Sequence, residues 1–383
     1  MRRPNWFLPA LLTAALLAAC GGDDDKVRFT SVVSFGDSVS DAGAYKVGTI
    51  AALGGGKFTV NGPDGLTWTE VLATTVGAPA QCAAQTGSLP NNGTTGAPVQ
   101  NFANCFNYAQ GSSRVSSSGS GPNGVALQTA FGEQNLGFTA ISLKEQFETH
   151  VAKAGGSFVR TDLVTINSGG NDAFMQLTGV LNAFSGGAAA VVTGTVAGWS
   201  QATLDVVALG GTNAVNAAGA AAVGAMGQAG AELAGYINTL VIGKGAKYVL
   251  VRNLGNLNFT PFGLSLDAGT QGLITAMTQA FNTQLANGLS PGLAAVILYD
   301  DYAQTAAVVA DPAKYGFSNI TTQSCGPNAF GAPNGASIVC NTTNLIAGDT
   351  SKYAFSDSVH PTPYAHQVAA QTAMTLMVNA GWQ

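Results

Sequence analysis

Charge is scarce in this 383-residue chain: Lys, Arg, Asp and Glu together make up 9% of it, and the formal net charge is −5. No cluster of Lys and Arg stands ready to neutralise a phosphate backbone, which argues against a nucleic-acid partner. Histidine is rarer still, with three residues, so few side chains can act as a base near neutral pH. The five cysteines include no Cys-x-x-Cys pair, the usual spacing of a zinc site, and neither a metal nor a cofactor is expected. The chain also lacks a strongly apolar run of about 20 residues, the length a transmembrane helix needs. Even the stretch from Ala173 to Gly230, where Asp205 is the one charged residue, is interrupted by Gly, Asn, Gln, Ser and Thr. What is present is a 46% hydrophobic content, ample for a buried core, together with 50 glycines.

The N-terminus reads as an export signal: Arg2 and Arg3 precede an apolar stretch, Phe7 to Ala19, that ends in small residues. Its last four positions, Leu17-Ala18-Ala19-Cys20, resemble the lipobox of bacterial lipoproteins. That resemblance implies cleavage before Cys20 and acylation of Cys20, each buried methylene adding about 0.8 kcal/mol of membrane affinity. Residues 1–19 are then a signal peptide, 20–27 a lipidated tether carrying the acidic run Asp23 to Asp25, and 28–383 a single domain with an Ala/Gly-rich helical insertion near 173–230. An exported, membrane-anchored protein is expected, and Gly21 after the lipidated cysteine points by the same analogy to the outer membrane or cell surface. Four cysteines remain, and an oxidising compartment favours disulfides. Among three connectivities, the local pairing Cys82–Cys105 and Cys325–Cys340 is the simplest.

Apolar β-branched runs recur at Ser31 to Phe35, Asp162 to Asn167, Lys247 to Asn253 and Ala294 to Tyr299. Each is short and nearly continuous, as strands buried on both faces are. Helical segments separate them or follow them: Gly65 to Thr75, Ser142 to Lys153, Ala231 to Ile242, Gly269 to Leu289 and Thr362 to Asn379. Alternation of this kind predicts an α/β fold, a three-layer α/β/α sandwich around a mostly parallel sheet. The stretch from Ala173 to Gly230 reads as Ala-rich helices, and Gln85 to Gln100 and Ser116 to Gly124 read as loops.

The first strand ends in Phe35-Gly36-Asp37-Ser38-Val39-Ser40-Asp41-Ala42-Gly43. A serine just after a buried strand projects into the crevice at the carboxyl ends of the strands, where open α/β sheets bind ligands. Taken alone, Ser38 is better explained as a helix cap. Two further segments change that balance. The second strand runs into Ser168-Gly169-Gly170-Asn171-Asp172, which can aim the Asn171 amide into the same crevice as a donor to a developing oxyanion. Near the C-terminus, Asp357 and His360 stand three residues apart. At that spacing the carboxylate can hold one imidazole nitrogen while the other faces Ser38.

Together these segments resemble the SGNH, or GDSL-type, serine esterases and lipases. The Phe-Gly-Asp-Ser block is Phe35 to Ser38, the Gly-x-Asn-Asp block Gly169 to Asp172, and the Asp-x-x-His-Pro-Thr block Asp357 to Thr362, in the family's order. The stretch Lys57-Phe58 to Trp68-Thr69-Glu70 is similar to a further family block, with an insertion. The resemblance implies a flavodoxin-like SGNH hydrolase fold in which Ser38 attacks an ester carbonyl, His360 takes its proton and Asp357 orients the imidazole. It implies an oxyanion hole built from the Ser38 N–H, the Asn171 amide and a backbone N–H from Asn107-Tyr108-Ala109-Gln110-Gly111-Ser112-Ser113-Arg114. In that last stretch the family carries a second Gly where this chain has Ser112, so the donor is Ser112 or Gly111. Asp37, Asp41 and Asp172 are expected to support loops, and His150 and His366 to be structural.

The expected function is hydrolysis of carboxylic esters of lipidic or acyl-chain substrates. Acyl transfer to an alcohol and O-deacetylation of a carbohydrate use the same residues, and a non-catalytic surface lipoprotein is the contrasting class. The sequence leaves the oligomeric state open, with a monomer as the expectation.

Overall fold

The computed structural model describes residues 26–87, 98–115, 140–289 and 296–383. Cys20, the export signal, most of the tether and the Ser116 to Gly124 segment lie outside the described residues. In chain order the elements begin with β1 (Ser31–Gly36), α1 (Gly48–Ala52), α2 (Trp68–Thr75), β2 (Gln85–Thr86) and β3 (Gln100–Asn101). Next come α3 (Leu143–Lys153), β4 (Asp162–Asn167), α4 (Gly170–Ser185), α5 (Gly187–Val196), α6 (Gln201–Leu209) and α7 (Gly211–Tyr236). The remainder is β5 (Tyr248–Arg252), α8 (Pro261–Leu264), α9 (Ala268–Gly288), β6 (Val296–Tyr299), α10 (Asp301–Ala310), β7 (Asn319–Gln323), β8 (Tyr353–Phe355) and α11 (Pro363–Asn379).

The four expected strands pair in parallel in the order β1-β4-β5-β6. Residues 106–110 run along the outer edge of β1, where Ser34 donates to the Phe106 carbonyl at 3.0 Å and Tyr108 to the Ser34 carbonyl at 2.7 Å. The second chain segment thus lies outside the first, as in the flavodoxin-like arrangement. Alternation along the strands divides the core. Val33, Phe35, Val164, Ile166 and Val251 belong to the cluster that contains Leu143 and Phe147 of α3, Met175 of α4, Met226 of α7 and Phe281 of α9. Val32, Leu163, Leu250 and Tyr299 face Trp68 and Leu72 of α2 and Ala369, Ala373 and Met377 of α11. Two helical layers around a parallel sheet are the expected sandwich.

The Ala/Gly-rich stretch is taken up by α4, α5, α6 and α7. The buried stripe of α7 is Ala214, Ala218, Ala222, Met226, Ala229 and Leu233, spaced three and four apart and mostly small. Small side chains let α7 approach α9 closely: a Cβ on Gly230 would stand 2.2 Å from the Phe281 carbonyl oxygen. Among the described residues no helix is long and apolar enough to cross a membrane.

Three features were not expected from the sequence. Helix α10 buries none of its residues, so it has no strong apolar stripe to read. The β7–β8 pair is a separate two-stranded parallel sheet with only Gln323 and Ala354 buried. The expected loop Gln85 to Gln100 is closed at its ends by pairing of β2 with β3. Both local disulfides, Cys82–Cys105 and Cys325–Cys340, are formed.

Candidate active site

Register places Gly36, Asn167, Arg252 and Tyr299 in one row at the carboxyl ends of the parallel strands. At Gly36 the chain must pass against β4, because a Cβ there would meet the Asn167 carbonyl oxygen at 2.3 Å. Glycine is therefore the residue that allows the turn. The Gly36 backbone is gripped from both sides by Gln146 of α3, whose Oε1 accepts from its N–H at 2.9 Å and whose Nε2 donates to its carbonyl at 2.8 Å. Asp37 to Ser40 then form a tight turn, closed by the Ser40 N–H on the Asp37 carbonyl at 3.1 Å. Ser38 sits at its crest.

His360 arrives from the loop between β8 and α11. Its Nε2 lies 2.9 Å from Ser38 Oγ, and its Nδ1 lies 2.7 Å from Asp357 Oδ2. The Asp357 carboxylate is fully engaged: Oδ1 accepts from the N–H groups of Val359 and His360, at 2.9 and 2.7 Å, and Oδ2 also accepts from the Ser337 N–H at 3.1 Å. Burial by itself raises the pKa of this carboxyl, yet the His360 charge and these hydrogen bonds outweigh it and hold the group well below the ordinary carboxylate range. Asp357 is thus a fixed anion behind the imidazole. The Phe58 ring lies against that imidazole with centroids 5.0 Å apart.

Ser112 and Asn171 line the same cavity, of about 490 Å³, as Ser38 and His360. Of the two expected backbone donors, Gly111 has its N–H on Asp41 Oδ2 at 3.0 Å. Asp41 also accepts from Gly43 and Ala44 at 2.8 and 2.7 Å, so this one carboxyl ties the Ser38 turn to the Gly111 turn. Its burial pushes its pKa up to about 7 against those three donors. Gly111 is required for space, since a Cβ there would stand 2.2 Å from the Phe58 ring. Among the described residues Ser112, at φ 68, is the only non-glycine with a positive φ, and its N–H has no hydrogen-bond partner there. The Asn171 amide donates to the Ser113 carbonyl at 2.9 Å, which orients it and leaves its second N–H for the cavity. Asn171 stands in the first turn of α4, where the helix end carries partial positive charge.

The remaining expected residues fall into supporting positions. Asp172 meets Arg114 Nε at 3.4 Å and the Val115 N–H at 3.1 Å; burial raises its pKa despite the Arg114 charge. Asp37 accepts from the Val39 N–H at 3.1 Å, and burial lifts its pKa to about 6. His150 is buried away from the site against Phe35 and Phe158, its Nδ1 3.1 Å from the Tyr108 hydroxyl. His366 is fully buried on α11 and held well below its usual pKa by burial first and by the Arg252 charge second. Among the described residues no cluster of His, Cys, Asp and Glu could hold a metal ion.

The sequence profile of the GDSL-like lipase/acylhydrolases matches residues 32–373, spanning the Ser38, Asn171 and His360 segments together. The chain belongs to the GDSL-like lipase/acylhydrolase family. Two GDSL esterases/lipases of Arabidopsis thaliana are similar to parts of it. One is 26% identical over 132 residues, 31% of this chain and 34% of its own length. The other is 30% identical over 133 residues, 33% of this chain and 35% of its own. The matched region thus spans about a third of each relative. The family is one of ester-bond hydrolases. The Lys57 to Glu70 block packs beside the site. Phe58 packs on His360, Asn61 Nδ2 aims its two N–H groups into a cradle of the Lys57, Thr59, Ser337 and Cys340 carbonyls, Trp68 donates to Ser40 Oγ at 2.9 Å, and Lys57 pairs with Glu70 at 3.1 Å.

Proposed function

We propose that this protein hydrolyses carboxylic esters of acyl-chain substrates through an acyl-enzyme on Ser38. The observation that carries the proposal is the continuous relay from Ser38 Oγ to His360 Nε2, 2.9 Å, and from His360 Nδ1 to Asp357 Oδ2, 2.7 Å. His360 removes the Ser38 proton as the oxygen attacks the ester carbonyl, and Asp357 stabilises the imidazolium that forms. The tetrahedral oxyanion is met by the N–H groups of Ser38 and Ser112 and by the free N–H of Asn171, at the N-terminus of α4. His360 then returns the proton to the leaving alcohol, and a water deprotonated by the same base releases the acyl group. One side of the cavity is apolar, with Phe174, Leu254, Leu257 and Phe262, and suits an acyl chain.

The same proposal places the enzyme on a membrane through an acylated Cys20, on the strength of the Leu17-Ala18-Ala19-Cys20 sequence. The decisive experiment is covalent labelling by a fluorophosphonate beside turnover of a chromogenic acyl ester. Wild type should label and turn over, and Ser38→Ala should do neither. Equal labelling of Ser38→Ala rejects Ser38 as the nucleophile.

A further inference from the structure

The structure assigns to Ser337 the part of a positioning residue that fixes the Asp357–His360 pair, an inference that rests on the proposed role of His360. Ser337 is fully buried and touches both members of the pair. Its N–H donates to Asp357 Oδ2 at 3.1 Å, and its Oγ lies 3.3 Å from His360 Nδ1. When Nε2 accepts the Ser38 proton, Nδ1 must already carry one, because a neutral imidazole has a single N–H. Toward that Nδ1–H the Ser337 oxygen can only accept. The proton on Nδ1 therefore has two acceptors, Asp357 Oδ2 at 2.7 Å and Ser337 Oγ, and both gain strength as the ring becomes imidazolium in the transition state.

Ser337 is itself held from several directions. Its carbonyl accepts from the Asn61 amide at 3.0 Å and from the Cys340 N–H at 3.0 Å. The carbonyl of Ile338 accepts from Gly56 N–H at 2.8 Å, and the Cys340 carbonyl accepts from Asn61 N–H at 2.7 Å. The disulfide Cys325–Cys340 closes the segment covalently three residues beyond Ser337. At its other end, Cys325 N–H donates to the Ser356 carbonyl at 2.9 Å, next to Asp357. The cross-link and this hydrogen bond together tie the segment that carries Ser337 to the segment that carries Asp357. The fixed geometry of the relay thus depends on a part of the chain that contributes no reacting atom.

Two variants of the full-length protein test this: Ser337→Ala, which removes the hydroxyl and keeps the N–H, and the double variant Cys325→Ser, Cys340→Ser. Ser337→Ala should lower kcat about tenfold on a chromogenic ester, the weak end of a hydrogen bond to a charged group. It should slow fluorophosphonate labelling by a similar factor, with KM and the thermal midpoint unchanged. The double variant, assayed well below its own midpoint, which loss of the cross-link lowers, should show a fall in kcat at least as large with KM unchanged. A Ser337→Ala protein with wild-type kcat and labelling rate overturns the inference, as does a loss that appears in KM or that follows a lowered midpoint. A wild type that neither labels nor turns over removes the Ser38 proposal and this inference together. A wild type that does both, beside a Ser337→Ala protein that does both equally well, removes this inference alone.

Discussion

Replacing Ser112 by glycine separates the backbone of the proposed oxyanion hole from its side chain. Ser112 holds φ 68, a left-handed conformation that costs an L-residue roughly 1–2 kcal/mol and glycine almost nothing. Glycine in turn loses more freedom on folding, about 0.5–1 kcal/mol. The balance favours Ser112→Gly by roughly 0.5–1 kcal/mol, a rise of about 1–2 °C in thermal midpoint for a chain of this size. Because the proposed donor is the backbone N–H, which glycine keeps, kcat on a chromogenic ester should stay within about twofold of wild type. Ser112→Ala keeps both the strain and the N–H, and should match wild type in both measurements. Differential scanning calorimetry and steady-state kinetics on the three proteins decide the matter. A fall in kcat of tenfold or more in both variants would show that the hydroxyl, and not the N–H, matters, and would refute the backbone-donor reasoning.

Gly111→Ala should be damaging in a way that traces to Phe58, whose ring a new Cβ would meet at 2.2 and 2.3 Å. The expected loss is about 1–3 kcal/mol of stability together with reduced kcat, and adding Phe58→Leu should recover much of the stability in chemical denaturation; no recovery would locate the damage elsewhere. Asn171→Ala should lower kcat by about 10²-fold with little change in KM, and a loss confined to KM would remove Asn171 from the oxyanion hole. His150 supplies a pH test. Burial first, and the Lys153 charge second, lower its pKa from 6.5 to about 4, so the unfolded chain binds its proton at a higher pH than the folded one. Folding stability must therefore fall as pH drops from 6.5 towards 4, by roughly 3 kcal/mol from this group. Urea denaturation of His150→Phe across that range should show a correspondingly flatter profile, and identical slopes would refute the assignment.

The parallel sheet was legible because its strands are buried on both faces and so read as unbroken apolar runs; β4 has all six residues buried. The gathering of Ser38, Asn171, Asp357 and His360 about one cavity was legible because Ser38 and Asn171 directly follow strands and Asp357 and His360 share one short loop. What could not be read was any choice settled by a distant partner. Asp41, which occupies the Gly111 N–H, lies 70 residues from Gly111, beyond any local reading of Gly111 and Ser112. Ser337 gave no signal because it sits in a Gly- and Asn-rich stretch, and its relation to His360 exists only after the chain has folded back. Gln146 looked like one more polar residue on α3, and its double hold on Gly36 spans 110 positions. Helix α10 and the β7–β8 pair escaped because they bury too little to leave a periodic pattern.

The hydrogen bond between Ser38 and His360 joins residues 322 positions apart. A ribosome adding about 5–20 residues per second makes the serine roughly half a minute before it makes the histidine. Throughout that interval Ser38 is an ordinary alcohol, with no base at hand and no wall of the cavity from the segment that ends at Cys340. On the proposed mechanism, reactivity therefore waits until the loop that carries His360 has closed on Ser38. A chain cut short before residue 360 then carries the Gly36-Asp37-Ser38 block without its base.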